Sequence, residues 1–120
     1  MSFRFGRGDR LRRRGEFTAV QTGGRRVATR YLTLLGKPNS LAGDRLGIIA
    51  SRRLGNAVER NRAKRRVREL FRQRPVDDGD EGSARQWDLV VIPKRELLDA
   101  PVTALTTDFL SALRRMRGAR

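Results

Sequence analysis

The sequence predicts an α+β or α/β sandwich in which helices pack on one sheet. Three observations predict it. Apolar runs of strand length, rich in β-branched residues, lie at 27–35, 46–50 and 88–92. Two longer segments, 57–74 and 102–116, carry apolar residues at helical spacing. Glycines, prolines and a capping asparagine stand at the joints between them. At 120 residues there is room for one modest core, read as a single domain at 15–120 after a basic arm at 1–14.

The arm holds seven charged side chains, with Phe3, Phe5 and Leu11 as its large apolar groups, and is expected to order on a partner. Phe17 and Val20 stand three apart, the spacing of a short helix that Gly23 and Gly24 stop. Val27 to Leu35 reads as one strand, closed by Gly36, Pro38 and Asn39. Leu46 to Ala50 reads as the next, with room for a further hairpin strand at 40–50. Gly55 then supplies backbone freedom and Asn56 can cap a helix that begins near Ala57 and runs to about Arg74, where Pro75 ends it. A loop with Asp77, Asp78, Asp80 and Glu81 follows. Asp88 to Ile92, ended by Pro93, suits a strand buried on both faces. Apolar residues at 105, 109, 110 and 113 predict an amphipathic helix from Val102 to Met116.

The net charge is +15, from 28 Lys and Arg against 13 Asp and Glu. Such a surface attracts polyanions, with nucleic acid foremost. An anionic membrane would need an amphipathic helix with Trp, Phe or Leu opposite the charge, and one Trp and five Phe are few for that. Nearly all the cations are Arg, whose guanidinium grips phosphate bidentately and stacks on bases; a GC-rich genome would give the same bias. Without Cys there are no disulfides, thiolate nucleophiles or Cys-containing zinc sites. No apolar run approaches the roughly 20 residues of a membrane span, and the first residues lack a signal-peptide core, so a cytoplasmic protein is expected.

Charge concentrates in 51–74, which holds ten Lys or Arg residues with only Glu59 and Glu69 against them. At 100° per residue, Ala63, Val67, Leu70 and Phe71 fall in one sector and face the core. Asn61, Arg62, Lys64, Arg65, Arg66, Arg68 and Arg72 spread round the rest, with Arg60 at the sector's edge. A charged outer face is usually just solvated. Here, however, Arg60, Lys64 and Arg68 lie on one i, i+4 stripe of like charge, whose repulsion an anion would offset. Arg52 and Arg53 also lead into the helix N-terminus, where free N–H groups favour phosphate.

The run Ser51-Arg52-Arg53-Leu54-Gly55-Asn56-Ala57-Val58-Glu59-Arg60-Asn61-Arg62-Ala63-Lys64-Arg65-Arg66-Val67-Arg68-Glu69-Leu70-Phe71 resembles the signature of the ribonuclease P protein family. Arg10-Leu11, Glu16-Phe17, Tyr31 to Leu34 and Asp88 to Ile92 extend the resemblance over about residues 10–115. It implies a two-layer α-β sandwich whose signature helix joins two parallel strands by a left-handed β-α-β crossover, a fold shared with a ribosomal-protein domain.

The resemblance also implies a role: binding the catalytic RNA of ribonuclease P through the Arg60-Asn61-Arg62 region, and holding the 5′ leader of precursor tRNA between the sheet and the first helix. With the charge reading, the expected RNA-binding set is Arg52, Arg53, Asn56, Arg60, Asn61, Arg62, Lys64, Arg65 and Arg68. The matching cleft positions are Phe17, Gln21, Tyr31, Thr33 and Leu35; Gln21 and Leu35 stand where other members often carry aromatics. Losing a stacking aromatic forfeits about 1–3 kcal/mol per base and shifts reliance to backbone charge.

A protein nuclease needs a general base or a metal site, and this chain has no His and no Cys. Carboxylates are the candidates that remain, and they cluster in the 77–81 loop, where disorder is expected rather than a preorganised two-metal site, so no catalytic or metal-binding residue is expected. The RNA subunit should cut the precursor, with Mg²⁺ required by the ribonucleoprotein and one protein monomer per RNA. The alternative is a general RNA chaperone or ribosomal-type protein, which would bind many RNAs with similar salt dependence.

Overall fold

The computed structural model describes residues 10–11, 13–39, 43–74 and 86–118. The elements run α1 (Arg14–Gly23), β1 (Arg25–Ala28), β2 (Leu32–Asn39), β3 (Arg45–Ile48), α2 (Ala57–Arg72), β4 (Gln86–Pro93), a 3₁₀ helix (Arg95–Leu98) and α3 (Val102–Met116). The strands form one sheet in the order β1-β2-β4-β3; β1 and β4 are antiparallel to β2, and β3 is parallel to β4. An antiparallel neighbour can follow a tight turn, whereas the parallel pair needs the long connection that α2 provides.

Alternation along the strands divides the core. Leu32, Leu34, Leu89 and Val91 pack with Ala63, Val67 and Phe71 of α2 and with Leu105 and Phe109 of α3. Leu35 and Val90, on the opposite face, pack with Val20 of α1, with Leu11 and against Phe17. Leu89, Val90 and Val91 are all fully buried, so β4 is covered on both faces as its apolar run predicts. The α+β class is the one expected, but helices cover both faces of the sheet, with α2 and α3 on one and α1 laid across the other.

The single strand expected at 27–35 is instead a hairpin. Thr29 makes the turn with its side chain: its Oγ1 accepts from the N–H groups of Tyr31 and Leu32, both at 3.2 Å, and donates to Asp108 Oδ2 at 2.6 Å. The second strand then runs on through Gly36 and Pro38, which sequence reading assigned to a turn. Pro38 is tolerated because β1 pairs with β2 only as far as Gly36, so the missing N–H lies beyond that ladder. The additional hairpin strand is thus at 25–28; the described part of 40–50 holds β3 alone.

Leu11 is buried and its N–H donates to Leu46 O at 3.0 Å, so residues 10–11 line the outer edge of β3. Arg45 ties that corner, donating to Asp88 Oδ2 at 2.7 Å and Glu16 Oε2 at 2.8 Å, which holds its guanidinium above the ordinary arginine pKa. Phe3, Phe5 and the acidic loop at 77–81 lie outside the described residues.

Candidate nucleic-acid interface

Helix α2 starts with a capping box: Asn56 Oδ1 accepts from Glu59 N–H at 2.8 Å, and Glu59 Oε1 accepts from Asn56 N–H at 2.9 Å. Asn56 is exposed but its amide oxygen is committed to the cap. The apolar sector lands as periodicity requires, with Ala63, Val67, Leu70 and Phe71 buried. Asn61, Arg62, Arg65 and Arg68 are exposed, while Arg60 and Lys64 are half-buried at the edge of the sector. Arg66 differs from the rest of the rail. Its Nη1 donates to Leu97 O at 2.7 Å and Ala100 O at 2.8 Å, pinning α2 to the segment after β4.

Arg52 and Arg53 occupy the middle of a turn closed by Leu54 N–H to Ser51 O at 3.0 Å, and both are exposed. Leu54 anchors the turn in the core. Gly55 follows with φ +153°, a conformation that favours glycine, and a Cβ there would displace the Glu59 carboxylate from the cap.

Between residues 10–11, α1, β3 and α2 lies a cavity of about 330 Å³. Leu11, Phe17, Leu46 and Ile48 give it an apolar floor, and Arg10, Lys64 and Arg68 supply charge among the described residues that line it. Burial, and then the charge of Arg10, hold the Arg68 guanidinium below its ordinary pKa. A cavity that crowds cations on an apolar floor favours an anion carrying a planar apolar group. Gly47 shapes this floor, because a Cβ there would overlap the Phe17 ring.

The structure therefore brings Phe17, expected in one RNA site, together with Lys64 and Arg68, expected in the other. Arg10 joins them; sequence reading left it in the basic arm. Thr33 and Leu35 lie buried on β2, Leu35 in the same small core as Phe17, and Gln21 is exposed one turn beyond Phe17 on α1. Tyr31 is not brought to them. It sits in the hairpin turn against the larger core, with the Arg30 guanidinium 5.6 Å from its ring centre.

Among the described residues no group of three or more His, Cys, Asp or Glu could hold a metal ion, and no helix is long and apolar enough to cross a membrane.

The ribonuclease P family model matches residues 5–117. Over 109 residues the chain is 39% identical to the ribonuclease P protein component of Chloroflexus aggregans, covering 90% of this chain and 77% of that one. Over 124 residues it is 34% identical to the component of Thermotoga petrophila, covering 98% and 100%. The RNase P protein of Thermotoga maritima superposes with TM-score 0.74 at 32% identity, over 91% of this chain and 98% of that one. That of Staphylococcus aureus gives 0.72 at 28% identity, over 89% and 94%. With sequence and fold agreeing over nearly its whole length, this chain belongs to the ribonuclease P protein family.

Proposed function

We propose that this protein, as the accessory subunit of ribonuclease P, binds the catalytic RNA and the 5′ leader of precursor tRNA and assists endonucleolytic removal of the leader. One monomer pairs with one RNA in the cytoplasm, and the RNA subunit carries out the hydrolysis. The observation that carries this reading is the cavity where Arg10, Lys64 and Arg68 meet Phe17. Cations there offset the repulsion between phosphates of two RNA chains, and the ring offers a face or edge to an unpaired base. Holding the leader beside the catalytic RNA turns an encounter of two polyanions into a positioned one.

Mg²⁺ is assigned to the ribonucleoprotein, where it would serve the RNA subunit. The exposed arginines of the 52–53 turn and the outer face of α2 are assigned to the catalytic RNA, whose phosphates they can grip bidentately.

The test is titration of the reconstituted ribonucleoprotein with precursor tRNA and with the same tRNA lacking its leader. The protein should tighten binding of the leader-bearing molecule alone, and Phe17→Ala should reduce that gain. Equal tightening of both molecules would overturn the leader assignment and favour the general RNA-chaperone reading.

A further inference from the structure

Because β3 and β4 are parallel, the chain leaves both at the same end of the sheet. The 51–56 turn after β3 and the 3₁₀ helix after β4 are therefore neighbours, although the residues concerned are about forty apart in sequence. Arg95 exploits this. Its Nη1 donates to Leu54 O at 2.7 Å and its Nη2 meets Glu59 Oε2 at 3.2 Å, while the other oxygen of the same carboxylate receives Asn56 N–H at 2.9 Å. Arg60 Nη1 takes the next carbonyl, Gly55 O, at 3.2 Å. Two consecutive carbonyls of the turn are thus held by guanidinium groups, and Glu59 links the clamp to the helix cap.

We propose that Arg95 is a positioning residue for RNA binding: with Glu59 it fixes the backbone of the 51–56 turn so that Arg52 and Arg53 are presented to the RNA in a set arrangement. The inference rests on the RNA-binding reading above. The Arg95 side chain is 62% exposed and its ion pair with Glu59 lies at the surface, where such pairs add little to stability. The effect of the clamp is on order. An unclamped turn must be immobilised when RNA binds, and fixing one or two long side chains weakens affinity by about fivefold to tenfold.

Glu59→Gln separates positioning from bulk charge. Glutamine at the third helical position keeps a capping box but weakens the link to Arg95. It also removes a negative charge from an RNA-binding surface, which by charge alone would tighten binding. The clamp requires the opposite result.

The experiment measures affinity of the full chain for a bacterial ribonuclease P RNA transcript as a function of salt, for the unmodified protein, Arg95→Ala, Glu59→Gln, the Arg52→Ala/Arg53→Ala pair, and that pair combined with Arg95→Ala. Positioning predicts that Arg95→Ala weakens binding about fivefold to tenfold, leaves the salt slope unchanged, and adds little once Arg52 and Arg53 are gone. Glu59→Gln should also weaken binding. Overturning results are a slope lowered by nearly one unit with additive losses, which makes Arg95 a direct phosphate contact, or tighter binding by Glu59→Gln. Failure of the unmodified chain to bind the transcript would overturn the RNA-binding reading itself, a distinct outcome.

Discussion

Arg66 Nη1 donates to Leu97 O at 2.7 Å, and this bond sets Arg66 apart from the exposed Arg65 beside it. Two adjacent arginines of the same cationic helix have different work. Arg66→Ala leaves the Leu97 and Ala100 carbonyls without their donor and should destabilise the fold by about 1–3 kcal/mol. Arg65→Ala should leave stability within about 0.5 kcal/mol and lower the salt slope of RNA binding by nearly one unit. Thermal unfolding and salt-dependent binding of the two variants check both halves.

Asp44 lies only 4% exposed, accepting from Trp87 N–H at 2.7 Å, from Arg117 at 2.9 Å and from Arg74 at 3.2 Å. It holds the ends of α2 and α3 to the start of β4. Asp44→Asn leaves two guanidinium groups without their counter-charge and should cost about 2–4 kcal/mol, less than for fully buried ions because both arginines remain partly exposed. Trp87, the sole tryptophan, reports the change by fluorescence in a denaturant titration.

Gly47→Ala should displace the Phe17 ring that closes over it. Overpacking of this kind costs about 1–3 kcal/mol. The functional consequence is narrower: leader-dependent affinity should fall while affinity for the ribonuclease P RNA alone stays near that of the unmodified protein. Parallel binding measurements on the two RNAs decide it.

Glu59 is held below the usual carboxylate range, first by the Asn56 N–H and then by Arg95. A carboxyl whose folded pKa is depressed makes its contribution in full above the unfolded value and loses it as pH falls through the folded one. Followed by carboxyl-carbon NMR, Glu59 should titrate at lower pH than a free glutamate. Arg95→Ala should move its midpoint part of the way back, since the Asn56 bond remains.

Much of this was legible in the sequence. Helix α3 has the predicted bounds, Val102–Met116, because its apolar spacing is unbroken and Pro101 marks its start. The inner and outer faces of α2 follow from the 100° turn per residue. The β1–β2 hairpin was not legible, because Thr29 makes its turn through side-chain bonds and no Asn-Gly or Gly-Gly marks it. The resemblance grouped Tyr31 with Thr33 and Leu35; its place in this turn, against the larger core, follows from the same side-chain bonds and was not legible either. Nor could local pattern distinguish Arg66 from Arg65, or single out Arg10 and Arg95, because what they meet is remote in the chain: Leu97 for Arg66, Leu46 for Arg10, Leu54 for Arg95.

The most direct measurement is cleavage of a 5′-extended precursor tRNA by a bacterial ribonuclease P RNA at low Mg²⁺, with no protein, with this protein, and with its Arg60, Lys64 and Arg68 all changed to Ala. The account predicts protein-dependent cutting at the mature 5′ end, reduced in the triple variant. A well-folded protein that gives no stimulation with cognate and related RNAs would contradict it.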